Sequence, residues 1–113
     1  MRIIVCGGRN YFDKEKFYQT MGGILKNLSD VTIISGGASG ADALAKQFAR
    51  ENGISFEEFP AEWERLGKSA GPIRNQKMID SGADLVVAFP GGKGTTDMVR
   101  RANRVRVTVV HVK

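Results

Sequence analysis

Gly91, Gly92 and Gly94 fall within four residues, directly after the apolar run from Leu85 to Phe89 and Pro90, and a helical pattern follows from about Thr95. A chain folding sharply off a strand end visits φ > 0, which glycine adopts freely, and a ligand reaches backbone amides only where no Cβ intervenes. The helix beyond offers unpaired N–H groups and the positive end of its dipole. Strand, glycine turn and helix together make a site for a phosphate or another anion, with Pro90, Lys93 and Thr95 beside it.

The design recurs where Val31 to Ser35 runs into Gly36, Gly37, Ala38, Ser39 and Gly40 and then into ADALAKQFA. A shorter version joins Ile3 to Cys6 to Gly7, Gly8 and Arg9. In an open parallel sheet the carboxyl ends of the strands share one edge, so the three loops are expected to converge on one crevice. The plain alternative for each loop is a tight turn needed for packing alone. Two loops that each open a helix at the same edge favour phosphate binding, because their dipoles add. Ser39, Lys93 and Thr95 are the expected side-chain contacts.

Single residues near these loops extend the site. Arg9 can grip a phosphate with two N–H groups or stack on a base; the alternative is a surface arginine. Asn10 and Tyr11 add hydrogen bonding and stacking, unless Tyr11 belongs to the core. Arg74 opposes the dipole at the start of its helix and needs a reason to be there. We expect it to pair with a ligand phosphate or ribose, so that Arg74→Ala loses binding at an unchanged melting temperature. Asp42 either complements a helix dipole or holds ribose hydroxyls. Trp63 forms a wall against a base or caps the core. Cys6 has no histidine near it in sequence, the only one being His111, and reads as a small buried residue. No metal-ligand cluster is present in the pattern.

Positioning these residues takes a regular frame. Strands are expected at Arg2 to Cys6, Val31 to Ser35, Ile54 to Phe59, the run ending at Phe89, and Val107 to Val112. Helices are expected over about 14 to 28, capped by Asp13, from Ala41 to the Asn52–Gly53 stop, over about 70 to 81, and from Thr95. Gly22 and Gly23 weaken the first helix, which either bends there or is packed closely. The stretch PAEWERLGKSAGP is expected to be irregular, and a loop of that length in a small domain is usually functional. Alternating strands and helices imply a three-layer α/β domain with a parallel five-stranded sheet of order 3-2-1-4-5, which sets GGRNY and PGGKGT across the switch point.

With 113 residues, 42% of them hydrophobic and 26% charged, the chain fits one ordinary globular domain over residues 1–113. No apolar run approaches the roughly 18 residues of a membrane span, and the start does not resemble a signal peptide. One cysteine excludes an internal disulfide and suggests a reducing, cytoplasmic setting. A net charge of +5 points to anionic partners, nucleotide or nucleic acid. Arg100, Arg101, Arg104 and Arg106 form the one basic cluster, which reads as a solvated helix face or as a nucleic-acid path.

GGRNY at 7–11, SGGASGADALA at 35–45, GKSAGPIRNQKM ending at Met78 and AFPGGKGT at 88–95 resemble the YspA/YpsA-related branch of the SLOG superfamily. The four motifs occur in order over nearly the whole chain. The resemblance implies a Rossmann-like fold, a nucleotide-type ligand such as AMP, NAD or ADP-ribose, a homodimer, and a bacterial or phage source. Relatives include the "lonely guy" phosphoribohydrolases and a bacterial DNA-processing protein. Their catalytic branch carries an Arg before the last glycine loop, matched here by Arg74, and a Glu in PGGxGTxxE, where this chain has Met98. The nearest carboxylate is Asp97, about 100° round the helix and expected to point away from where the Glu would aim. Arg74 and Asp97 are the candidate catalytic pair for N-glycosidic hydrolysis of a nucleoside 5′-monophosphate. The Met98 departure favours binding over catalysis, with no resident cofactor or metal. A nucleic-acid-binding module is the alternative.

Overall fold

The computed structural model describes Met1–Lys113. Five parallel strands, β1 (Arg2–Cys6), β2 (Thr32–Ser35), β3 (Ser55–Glu58), β4 (Leu85–Ala88) and β5 (Thr108–His111), lie in the order β3-β2-β1-β4-β5. The expected strand order and single α/β domain are therefore found. Between the strands run α1 (Lys14–Leu25), α2 (Ala41–Glu51), α3 (Trp63–Leu66), α4 (Ala70–Asp80) and α5 (Lys93–Arg104), with one 3₁₀ turn at Gly67–Ser69.

The central strands read as unbroken apolar runs because a parallel sheet covered on both faces buries both sets of side chains. Alternate residues of β1 serve opposite faces. Ile3 and Val5 join Ile33, Val87, Phe17, Met21 and Phe48 beneath α1 and α2. Ile4 and Cys6 join Ile34, Val86, Met78, Ile79, Met98 and Ala102 beneath α4 and α5. Phe89, just past β4, stacks on Phe17 with ring centroids 4.4 Å apart, anchoring the strand end from which the last glycine loop departs. Such a pair adds about 1 kcal/mol beyond its buried area.

Several boundaries differ from expectation. The first helix stops at Leu25 instead of about residue 28, although Asp13 caps it as expected by accepting from the Lys16 amide at 3.1 Å. Gly22 and Gly23 neither break it nor pack against anything; both face solvent. PAEWERLGKSAGP is not irregular throughout, since it holds α3 and the 3₁₀ turn. α5 begins at Lys93, two residues before the expected Thr95, so Gly94 lies inside the helix. No helix is long and apolar enough to cross a membrane.

Candidate functional site

The three glycine loops meet at the carboxyl end of the sheet and are laced together by backbone hydrogen bonds. The Gly8 amide donates to the Pro90 carbonyl at 2.8 Å, across the switch point between β1 and β4. The Gly8 carbonyl accepts from Tyr11 at 3.2 Å and from Ala41, the first residue of α2, at 3.1 Å. Ser39 Oγ donates to the Arg9 carbonyl at 3.1 Å. This close approach of the loops accounts for Gly7, Gly40 and Gly91. A Cβ on Gly7 would stand 2.6 Å from Ala41 Cβ, and one on Gly91 would stand 2.6 Å from the Gly8 nitrogen. Gly40, at φ +71°, has the Gly8 and Arg9 carbonyls where its side chain would be.

Gly92 and Gly94 are different. Neither has a positive φ, and a Cβ on either would meet nothing within 4 Å. Both open onto a cavity of about 550 Å³, a size typical of small-molecule sites. The cavity also collects Gly7, Gly8, Arg9, Asp42, Arg74, Lys93, Thr95 and Asp97 from the expected residues. Lys68 joins them from the 3₁₀ turn. Arg9, Lys68, Arg74 and Lys93 form no ion pair with any carboxylate, and these four cations outnumber the two carboxylates of the same lining, Asp42 and Asp97.

Arg74 is held on backbone oxygens. Its Nη1 donates to the Gly36 carbonyl at 2.6 Å and reaches the Phe59 carbonyl at 3.4 Å. A Cβ on Gly36 would collide with this guanidinium, so the glycine makes room for it. Burial works against its charge, Asp42 supports it and Arg9 opposes it, leaving the pKa below the usual arginine value. Because Arg74 bridges β2's end to the stretch after β3, Arg74→Ala is expected to lower the melting temperature, contrary to the expectation from sequence.

Asn75 wires Arg74 to Asp97. Its side-chain oxygen accepts from Arg74 Nε at 3.1 Å, while its Nδ2 donates to Asp97 Oδ2 at 2.9 Å and to the Gly94 carbonyl at 3.2 Å. Asp97 Oδ2 also accepts from Arg101 Nε at 2.8 Å. Partial burial would raise the Asp97 pKa, but the hydrogen bonds from Arg101 and Asn75 outweigh it and hold the carboxyl below its usual range. Asp97 lines the cavity, while position 98 faces the core, so the two differ in direction as the rotation about the helix requires. The rotation of α5 is set by Met98 and Ala102, both fully buried against the sheet, which leaves Asp97 and Arg101 on the flank facing α4. Position 98 is thus a core position in this chain.

The remaining expected residues lie around the cavity without lining it. Tyr11 turns its ring toward Phe89 at 5.4 Å, and its hydroxyl is buried without a partner. Asn10 is exposed, and Gly36, Gly37, Ser39, Gly40, Pro90 and Gly91 shape the loops behind the wall. Asp42 is on the cavity floor and accepts from the Ala38 amide at 3.0 Å. Its burial raises the pKa against the pull of that amide. Ser35 Oγ is buried nearby without a hydrogen bond of ordinary geometry. Burial pushes the Cys6 thiol up to about 12, with Asp42 adding to it, so the group stays protonated and unreactive.

Sequence reasoning missed Asn75 and Lys68. The signal for Asn75 was a polar residue in the buried stripe of α4, which includes Gly71, Met78 and Ile79. The basic cluster is also not one face. Arg101 spends its guanidinium on Asp97 and on Gln76 Oε1 at 2.8 Å, whereas Arg100 and Arg104 are exposed.

Residues 1–66 match the family model described as YAcAr: YspA, cpYpsA-related SLOG family. The "Gene 61 protein" of Mycobacterium phage D29 is 32% identical over 118 residues, spanning 97% of this chain and 94% of that protein. The X-ray structure of TM1055, a Northeast Structural Genomics Consortium target, superposes with a TM-score of 0.74 at 19% identity, over 96% of this chain and 71% of that one. At that identity the likeness is one of Rossmann-like fold. The matched half holds two of the three glycine loops, and the phage relative extends the likeness through the third. The chain belongs to the YspA, cpYpsA-related SLOG family.

Proposed function

We propose that the cavity binds a nucleotide or nucleotide-derived small molecule, and that the protein acts as a sensor or sequestering protein for it. The observation that carries this reading is the set of four cations without ion pairs around one cavity, beside the opening turn of α5. Arg74 is half-buried and Arg9, Lys68 and Lys93 are exposed, so an anion arriving among the aligned amides finds charged N–H donors that no carboxylate of the protein pairs with. Gly92 and Gly94 add to it, because nothing within the protein requires glycine at either position. Family membership agrees with a nucleotide-related role.

One observation favours a hydrolytic reading as the second choice. Asp97 is an ionised carboxylate on the cavity wall, and such a group stabilises an oxocarbenium-like ribose while Arg74 and the loops hold the 5′-phosphate. Against it, the low pKa of Asp97 leaves it unprotonated near neutral pH and unable to donate a proton to a departing base. Asp42 is committed to the Ala38 amide. Binding therefore stands ahead of catalysis. A thermal-shift screen against AMP, NAD, ADP-ribose and cyclic nucleotides tests the first reading, since a ligand that binds only the folded state raises its melting temperature. Chromatography of each stabilising ligand after incubation tests the second: release of free base would reverse the order. No shift with any of them would remove both.

A further inference from the structure

Trp63 is the only tryptophan, and it is 47% exposed. It opens α3 and lines the cavity together with Gly71 and Arg9. Its placement is built. Gly71, buried in the first turn of α4, leaves room for the indole, because a Cβ there would lie 3.2 Å from Trp63 Cη2. Outside the cavity, Glu62 next to Trp63 pairs with Arg65 at 2.6 Å and reaches Lys77 of α4 at 3.9 Å, tethering the short helix.

The Arg9 guanidinium lies over the indole, 5.5 Å from the ring centroid, within cation–π range. That guanidinium has no hydrogen bond and no ion pair, so only the indole face holds it. An exposed indole face at a cavity mouth, covered by one unrestrained arginine, is a surface that another flat group can take over.

We infer that Trp63 is the platform on which the planar base of the ligand stacks, Arg9 giving way on the indole face and turning its charge toward the phosphate. The inference rests on the nucleotide reading of the cavity and adds to it the residue that separates a nucleotide from a bare sugar phosphate. The phosphate end, at Gly92 to Thr95, and the base end, at Trp63 and Gly71, are then distinct walls of one cavity.

Because Trp63 is the sole indole, its emission reports the stacking directly. AMP, NAD and ADP-ribose are titrated beside ribose 5-phosphate, with melting temperature and Trp63 emission read on the same samples. The expected result is stabilisation by both kinds of ligand, with quenching only by those that carry a base. Trp63→Leu keeps an apolar group over Gly71 and is expected to weaken AMP by about tenfold to a hundredfold. It should leave ribose 5-phosphate within about twofold, and Trp63→Phe should restore most of the AMP affinity. Equal AMP affinity in wild type and Trp63→Leu overturns the proposal while the cavity reading survives, as does AMP binding without any change in emission. If neither AMP, NAD, ADP-ribose nor ribose 5-phosphate stabilises the protein, the cavity reading falls and takes the platform with it.

Discussion

Gly94→Ala should make the protein more stable and worse at binding, and the two effects have separate causes. Gly94 is the second residue of α5, has no positive φ, and offers open space at its Cβ position. Alanine there restricts the unfolded chain without a clash in the folded one, which stabilises by about 0.4–1 kcal/mol. For a domain of this size that raises the melting temperature by about 2–4 °C. The new methyl sits on the cavity wall beside the opening amides of α5, where an anion has to approach, and a loss of about 1.4 kcal/mol there weakens affinity about tenfold. Gly91→Ala is the contrast, because its Cβ would lie 2.6 Å from the Gly8 nitrogen and 2.9 Å from the Gly7 carbonyl carbon. Backbone atoms cannot step aside, so that change should destabilise by about 1–3 kcal/mol. Urea unfolding followed by Trp63 emission measures both stabilities, and thermal shift with AMP measures binding. A Gly94→Ala protein that gains stability and binds AMP as tightly as wild type would refute the idea that ligand approach is what this glycine serves.

Other substitutions test single links. Arg74→Ala leaves the Gly36 carbonyl without its donor, and should cost about 1–3 kcal/mol in urea unfolding as well as binding; unchanged stability would show that the guanidinium is not structural. Tyr11→Phe removes a buried hydroxyl that has no partner, so stability should hold or rise by up to about 1 kcal/mol with AMP affinity unaltered; a loss of affinity would return Tyr11 to the ligand. Asp97→Asn bears on pH. The folded pKa of Asp97 lies below its unfolded value, so the contribution of the carboxylate is present above about pH 4 and lost as pH falls through the folded pKa. After allowance for solvent screening at the cavity wall, the variant should be less stable than wild type by about 1 kcal/mol at pH 7, with the difference closing in acid. A difference that persists unchanged to pH 2.5 would mean that charge is not its source.

The strand order and the meeting of the three glycine loops were legible because apolar runs, glycines and helical stripes follow one another in a regular alternation that admits few topologies. What each glycine does was not legible. Gly7 is required by Ala41 and Phe89, and Gly36 by Arg74, partners distant in sequence that only the folded chain brings near. The direction of Tyr11 depended on whether Phe89 lay within reach. α3 escaped notice since four residues, WERL, are too short to show a period. Helix geometry made it legible that Asp97 and position 98 face different ways, but not which of them enters the core: α5 has few apolar residues, and the choice of Met98 with Ala102 as its buried pair decides which way the carboxylate turns.

The two ends of the sheet differ in how they use their cations, and that contrast supports the proposed site. At the amino end, Arg2 donates to Glu57 at 2.6 Å, to the Gly82 carbonyl at 2.8 Å and to Ser81 Oγ at 2.9 Å, while its amide donates to Asp84 at 2.8 Å. Charge and hydrogen-bonding capacity there are consumed within the protein, which ties β1 to β3 and to the turn before β4. At the carboxyl end, Arg9 rests on an indole, Lys68 and Lys93 form no ion pair, and Arg74 holds carbonyls and faces no carboxylate within bonding distance. Cations in excess of carboxylates at the switch point, where backbone amides and an open cavity already converge, support the proposal of an anionic small-molecule ligand.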